Sequence, residues 1–173
     1  LFRSFIIGDG SARRQVQDDA DSLALSHTEQ SGTGAFTPGK KDELSGEPSK
    51  QSTVIFTSWI REIDYAYAGL DLVCLTSLNE GTPVSLIEAQ ASGKAVVSTK
   101  VGGVENIVQH GVTGLLSELS LNTFSQHLIH LVESAEDRKM MGCEGINRVV
   151  KNYHYNRLAD ETKQLYANLL ASD

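Results

Sequence analysis

Short apolar runs alternate with amphipathic stretches along most of the chain. The apolar runs occupy residues 1–7, 54–57, 70–75, 95–98 and 115–116. Between them, helical periodicity covers residues 11–25, 63–68, 84–91 and 105–109. Near-continuous apolar strands that alternate with helices are typical of a parallel sheet covered on both faces. We therefore predict an α/β fold with a doubly wound parallel sheet, followed by three further helices over residues 121–134, 136–152 and 156–170.

Residues 28–52 interrupt this alternation. They contain Pro38 and Pro48, two of the chain's three prolines, and only Ala35, Phe36 and Leu44 are apolar. A segment with so little to bury cannot offset the entropy of ordering it. We predict one domain over residues 1–173 that carries a flexible surface insertion at 28–52 and ends in a helix at about 156–171.

Charge and cysteine usage narrow the classes of partner and compartment. The 15 Lys and Arg against 22 Asp and Glu leave a net charge of −7, which argues against a nucleic-acid surface as the main partner. A small anion held by backbone N–H groups remains compatible with this charge.

Cys74 and Cys143 lack CxxC or metal spacing, so we predict reduced, packed thiols and a cytoplasmic location.

The segment 78–89, LNEGTPVSLIEA, combines a turn with a helix start. Thr82 suits an N-cap and Pro83 suits the first helical position, so the N–H groups of Val84 and Ser85 should point out of the helix end. Such an end attracts anions. Gly81 would let the backbone approach a ligand closely.

One polar stripe runs along the predicted helix that follows. Ser85, Glu88 and Ser92 recur at i, i+3 and i+7 among apolar positions. A carboxylate on a buried helix needs hydrogen-bond donors, and ribose or sugar hydroxyls would serve. Spacing alone leaves a second interpretation equally open, in which Glu88 complements the helix dipole and Glu80 is solvated.

Two glycine loops follow other predicted strands. Gly8-Asp9-Gly10 begins like a dinucleotide fingerprint, but Arg13 stands where the third glycine belongs, so a tight turn is favoured. Gly102-Gly103 could admit a ligand, although paired glycines usually mark a simple turn.

Two further clusters are interpreted as ordinary helix surface. Asp19-Ala20-Asp21 matches a metal-binding signature, but residues two apart on a helix point in different directions and cannot share an ion. His127, His130 and Glu133 lie on the side of their helix away from its leucines, which predicts a solvated face.

The run NEGTPVSLIEAQASGKAVVSTKVGGVENIVQHGVTGLL, with flanking sequence from Val54, resembles the C-terminal donor-binding domain of the retaining GT-B glycosyltransferases of group one. Glu80 and Glu88, with seven residues between them, are the hallmark of that family. The likeness extends to IIGDGSARRQ and to the terminal helices. It implies a Rossmann-like domain that forms the C-terminal half of a GT-B fold and lacks its first strand.

The resemblance also implies roles for individual residues. Glu80 would be catalytic and contact the transferred sugar, and Glu88 would bind the ribose. The loop containing Trp59 and Arg61 would lie near the base. The family works without a bound metal, so no metal cofactor is expected. The remaining donor-binding residues would be Gly8, Gly81, Thr82, Pro83, Val84 and Ser85.

By the same resemblance, the activity would be transfer of a hexose from a nucleotide sugar, a UDP-sugar, to a carbohydrate or lipid-linked acceptor. The acceptor-binding N-terminal domain is absent from this sequence, so the fragment is expected to be inactive alone. Any peripheral association with a membrane is expected through that absent half. Two alternatives remain: an enzyme similar to UDP-GlcNAc 2-epimerase, and an isolated non-catalytic nucleotide-binding fragment.

Overall fold

The computed structural model describes residues 4–7, 11–23, 27–30, 54–57 and 59–171. The strands are β1 Ser4–Ile7, β2 His27–Gln30, β3 Val54–Thr57, β4 Leu72–Leu75, β5 Ala95–Thr99 and β6 Gly114–Ser117. The helices are α1 Arg13–Ser22, α2 Ile63–Gly69, α3 Val84–Ala91, α4 Val104–Ile107, α5 Leu121–Glu133, α6 Ala135–Tyr153 and α7 Tyr155–Leu170. The predicted α/β class with parallel strands and flanking helices is confirmed.

The chain divides into two compact units, Leu1–Ala66 and Tyr67–Asp173. The first unit contains a three-stranded parallel sheet in the order β1-β3-β2. Phe56 on the central strand β3 is fully buried, and the Arg13 guanidinium lies 5.9 Å from its ring centroid. Arg13 also donates to the Thr57 carbonyl at 2.9 Å, so α1 is anchored to the end of β3.

The second unit contains a three-stranded parallel sheet in the order β4-β5-β6. Every residue of the central strand β5 is buried, as expected for a strand that is covered on both faces. Helices α5 and α6 pack against β5 and β6. The core cluster consists of Ala95, Val97, Leu115, Phe124, Leu131 and Met141.

Helices α3 and α6 pack closely because glycines on α6 face α3 and its C-terminal turn. A Cβ at Gly142 would overlap the Gly93 carbonyl oxygen, and one at Gly145 would lie 3.2 Å from Cβ of Gln90. Gln90 is completely buried on α3. Its amide nitrogen donates to the Leu86 carbonyl at 3.2 Å. The absence of side chains at Gly142 and Gly145 therefore lets α6 approach the C-terminal end of α3 and the turn after it.

Most predicted elements agree with the structure to within a few residues. Strand β2 was not predicted, and residues 28–30 of the predicted insertion belong to it. Residues 31–53 lie outside the described residues, so the flexible insertion stays a prediction. The assignment of residues 1–173 to one domain also stays a prediction. Cys74 and Cys143 are both free, as predicted. The prediction of a packed thiol is wrong for Cys143, which is exposed. Cys74 has a solvent-accessible surface, but burial of its thiol raises its pKa to about 12. Among the described helices, none is long and apolar enough to cross a bilayer.

Candidate functional site

The loop between β4 and α3 follows the carboxyl end of β4, and the loop that follows β5 leaves the same edge of the sheet because these neighbouring strands are parallel. A hydroxyl joins the two strand ends: Thr99 Oγ1 donates to the Ser77 carbonyl at 2.5 Å. In open α/β sheets this edge is where ligands bind. The sheet therefore brings the predicted motif to the expected end of the strands.

Glu80 is held at both its side chain and its backbone. Ser77 Oγ donates to Glu80 Oε1 at 2.6 Å, and the Gly103 N–H donates to the Glu80 carbonyl at 3.1 Å. Glu80 is half-buried. A carboxylate with one oxygen already bound by a hydroxyl keeps a defined direction and still has acceptor capacity for a ligand.

The glycine pair after β5 supports this loop directly. Gly102 has a φ of +49°, and a Cβ there would overlap the Glu80 carbonyl oxygen; a Cβ at Gly103 would overlap the Gly81 carbonyl oxygen. Only glycine combines a positive φ with so close an approach. The pair therefore positions the Glu80 backbone, a function that the sequence pattern alone did not distinguish from a simple turn.

Helix α3 covers Val84–Ala91, the residues over which helical periodicity was predicted, but Pro83 is not its first helical residue. Pro83 is the N-cap, with φ −71° and ψ 97°, and no side chain caps the helix, so the prediction of Thr82 as N-cap is wrong. Proline suits this end because it has no N–H that would need a partner. The Leu86 N–H donates to the Pro83 carbonyl at 3.1 Å. The N–H groups of Val84 and Ser85, both exposed residues, have no acceptor within the helix.

The buried face of α3 differs from the predicted pattern. Leu86, Ala89 and Gln90 are the buried residues, whereas Val84 and Ala91 are exposed. The polar residue that α3 buries is therefore Gln90, which the stripe of Ser85, Glu88 and Ser92 did not include. A buried glutamine among apolar residues carries no periodic signal, so the sequence could not identify it.

Glu88 is half-buried and has a partner that sequence reasoning missed. The Tyr67 hydroxyl lies 3.0 Å from the Ser85 carbonyl oxygen and 3.4 Å from Glu88 Oε2. Tyr67 is only 5% exposed. Burial, and then the charge and hydrogen bond of Glu88, raise the pKa of Tyr67 to about 12. The phenol therefore remains a donor at neutral pH.

The positive charge of Lys100, which follows β5, is balanced by two acidic neighbours. Its Nζ lies 3.2 Å from Glu105 Oε1 and 3.3 Å from Glu118 Oε1. Hydrogen bonds to Glu105 and then Glu118 raise the pKa of Lys100. The backbone N–H groups at the start of α3 are a separate source of favourable field for an anion at this sheet edge.

Three other predicted donor-binding residues lie outside the second unit. Trp59 and Arg61 belong to the first unit and are exposed. Gly8 lies outside the described residues. Their roles stay predictions.

Two clusters were predicted to be ordinary helix surface: Asp19-Ala20-Asp21, and the set of His127, His130 and Glu133. Asp19 and Asp21 are exposed on α1, as predicted. The described residues contain no group of three or more His, Cys, Asp or Glu side chains that could hold a metal ion. The prediction of a solvated histidine face is wrong for His127, which is half-buried. The centroid of its ring lies 5.6 Å from that of His110.

The chain belongs to the family described as Glycosyl transferases group 1, whose model matches residues 31–134. Among curated relatives, the N-acetyl-alpha-D-glucosaminyl L-malate synthase of Bacillus anthracis is 30% identical over 104 residues, which are 60% of this chain and 27% of that protein. The chain spans about a quarter to two fifths of the length of such relatives. The recognition of the family from its paired glutamates is thus confirmed.

Solved structures support the fold. Alr3699/HepE of Anabaena, determined in complex with UDP-glucose, superimposes with a TM-score of 0.71 at 20% identity, covering 99% of this chain and 41% of that one. The C-terminal domain of a group 1 glycosyl transferase, LpcC of Francisella tularensis, gives 0.66 at 22% identity, covering 87% and 69%. At these identities the comparison shows a shared Rossmann-like GT-B fold alone.

Proposed function

We propose that this chain is the donor-binding part of a glycosyltransferase that moves a hexose from a UDP-sugar to a carbohydrate or lipid-linked acceptor, with retention of anomeric configuration. One observation carries the proposal: an uncapped helix N-terminus stands between two glutamates, each oriented by a hydroxyl donor. Such an arrangement combines an anion site with acceptors for sugar hydroxyls.

The diphosphate is assigned to the first turn of α3. The N–H groups of Val84 and Ser85 lack helical acceptors, and the helix dipole favours negative charge there. When the glycosidic bond breaks, negative charge grows on the leaving diphosphate, and oriented N–H groups stabilise it without reorganising. The leaving phosphate then assists the incoming acceptor on the same face, which accounts for retention. No metal is needed in this scheme.

The two glutamates receive different ligand groups. Glu80, in the loop before the helix, is assigned to hydroxyls of the transferred sugar. Glu88, one turn inside the helix, is assigned to the ribose hydroxyls. Gly81, Thr82 and Pro83 form the connecting backbone. The donor-binding roles of Trp59, Arg61 and Gly8 stay predictions from the family resemblance.

The relatives support this choice of substrate class. The support concerns the donor: the solved complex of HepE contains UDP-glucose, and the name of the Bacillus anthracis relative, N-acetyl-alpha-D-glucosaminyl L-malate synthase, includes a sugar group. Because the chain covers 27% of that relative, we place the acceptor site in a part of the whole protein that this chain does not contain. The chain alone is then expected to bind donor without transferring sugar.

Calorimetric titration of the chain with UDP tests the proposal. Glu88→Ala should weaken UDP binding by about 2 kcal/mol, or roughly 30-fold, because it removes hydrogen bonds from two hydroxyls to a charged acceptor. Glu80→Gln is the matched contrast and should leave UDP affinity nearly unchanged, since its partner is the sugar. Unchanged affinity in a folded Glu88→Ala chain would remove Glu88 from the site.

Joining the chain to an N-terminal half tests the reaction class. Sugar transfer supports the proposal, whereas epimer formation or no turnover would favour the two alternatives. In an active fusion, Glu80→Gln should lower kcat more than it alters UDP affinity. An equal loss of both would contradict the assignment of Glu80 to the sugar.

A further inference from the structure

Tyr67 is a buried hydroxyl donor placed between two acceptors of the candidate site. Its hydroxyl is 3.0 Å from the Ser85 carbonyl oxygen and 3.4 Å from Glu88 Oε2. A phenol has one hydrogen, which can be directed to either acceptor. The carboxylate contact is the longer of the two, but the negative charge of Glu88 makes it the stronger acceptor. One group thus connects the first turn of α3 with the side chain assigned to the ribose.

The environment keeps this group a donor. Tyr67 is 5% exposed, and ionising it beside the Glu88 carboxylate would bury two negative charges together. A neutral phenol that donates to a carboxylate leaves the charge of the carboxylate intact. Glu88 Oε2 is therefore held in one direction, and most of the acceptor capacity of the carboxylate remains for a ligand.

We propose that Tyr67 is the positioning residue for Glu88: it fixes the carboxylate so that both hydroxyls of a ribose diol are bound, and it thereby makes the site discriminate ribonucleotides from 2′-deoxyribonucleotides. The proposal rests on the proposed function, since it takes the nucleotide ribose as the ligand of Glu88. A carboxylate free to rotate would meet the two fixed hydroxyls less often, which lowers affinity without removing any contact with the ligand.

A second tyrosine on the same helix provides a matched control. Tyr65 is also on α2 and is 49% exposed, so Tyr65→Phe removes the same hydroxyl from a solvated position. Tyr67→Phe keeps the buried ring and therefore the packing. Circular dichroism and the unfolding midpoint of each variant report whether the fold is retained.

The experiment measures the affinities of the 173-residue chain for UDP and 2′-deoxy-UDP. Tyr67→Phe should weaken UDP binding about fivefold, the loss expected for one hydrogen bond, and should weaken 2′-deoxy-UDP binding less, so the ratio of the two affinities falls. Tyr65→Phe should change neither. In a Glu88→Ala chain, adding Tyr67→Phe should have almost no further effect on UDP binding, because the carboxylate that Tyr67 orients is gone already.

The outcomes separate the inference from the proposed function. If Glu88→Ala weakens UDP binding but Tyr67→Phe leaves the affinity ratio unchanged, Tyr67 has only a structural role and the inference fails, even where the unfolding midpoint drops. If Glu88→Ala leaves UDP binding unchanged, the proposed function of Glu88 fails and the inference falls with it. Additive losses in the double variant would likewise overturn the inference.

Discussion

Close backbone approach at Gly102 determines where the Glu80 carbonyl lies. Gly102 has a positive φ and no room for a Cβ, whereas Gly111 has a φ of +77° with nothing within 4 Å of its Cβ position. The two glycines therefore share a conformational requirement and differ in steric surroundings. Comparing alanine variants at the two positions separates two contributions to the free energy of unfolding: the steric overlap at Gly102 and the cost of a left-handed backbone.

Replacing each glycine by alanine should give unequal losses of stability. Gly102→Ala should lower the free energy of unfolding by about 2–4 kcal/mol, because overlap with the Glu80 carbonyl adds to the backbone cost. Gly111→Ala should lower it by about 1–2 kcal/mol. Urea unfolding followed by circular dichroism measures both. Equal losses would show that the loop relaxes away from Glu80 without cost.

At the scale of elements, the last helix contrasts with the rest of the second unit. Helix α7 packs against α6, yet none of its residues is buried. Its apolar residues Leu158, Leu165, Tyr166 and Leu169 are all exposed. They recur at i, i+7, i+8 and i+11, so they form one stripe along the helix. A helix with no buried side chain contributes little to the core, and an exposed apolar stripe favours association.

Removing residues 155–173 should leave Tm within about 3 °C of the whole chain, since a loss of about 1 kcal/mol corresponds to that shift at this size. The same truncation should reduce self-association, measured by sedimentation at increasing concentration. Leu165→Asn in the intact helix is the control, and it should reduce association in part. A chain that is monomeric at high concentration and loses much stability on truncation would show that α7 covers its own unit.

At the scale of the whole molecule, the histidines couple stability of the second unit to pH. His110 Nδ1 accepts the Leu116 N–H at 2.9 Å. His127 Nδ1 is buried with no hydrogen-bond partner among the residues that the structure describes. His130 Nε2, on the same helix, lies 2.8 Å from Asp137 Oδ2. Burial first, and then the nearby His110 and His130, lower the pKa of His127.

The sign of the pH effect follows from linkage. Because the pKa of His127 is lower in the folded chain than the ordinary value of 6.5, the unfolded chain takes up the proton first as pH falls. Stability is therefore full above pH 6.5 and declines between 6.5 and the folded pKa. His127→Gln should flatten the dependence of the unfolding free energy on pH in this range. His154→Asn, at the exposed N-cap of α7, is the control. If His127→Gln leaves the slope of the unfolding free energy against pH the same as in the unaltered chain, the assignment of this pH dependence to His127 is wrong.

Local patterns in the sequence determined the order of the elements and the chemistry of the motif. Apolar runs of strand length and helical periodicity predicted nearly all elements, because each depends on neighbours along the chain. Glu80 and Glu88 were recognised for the same reason: both lie in one continuous segment. Strand β2 was missed because His27–Gln30 is polar and depends on pairing with β3.

Only the tertiary structure decided which groups support those glutamates. Tyr67 lies 21 residues from Glu88 in sequence, and Thr99 lies 22 from Ser77, so no local pattern connects them. The shift of the N-cap from Thr82 to Pro83 and the half-burial of His127 also depend on the surroundings of α3 and α5. Hydrogen-bond direction and burial are set by residues brought close through folding, and a sequence read in order does not contain those distances.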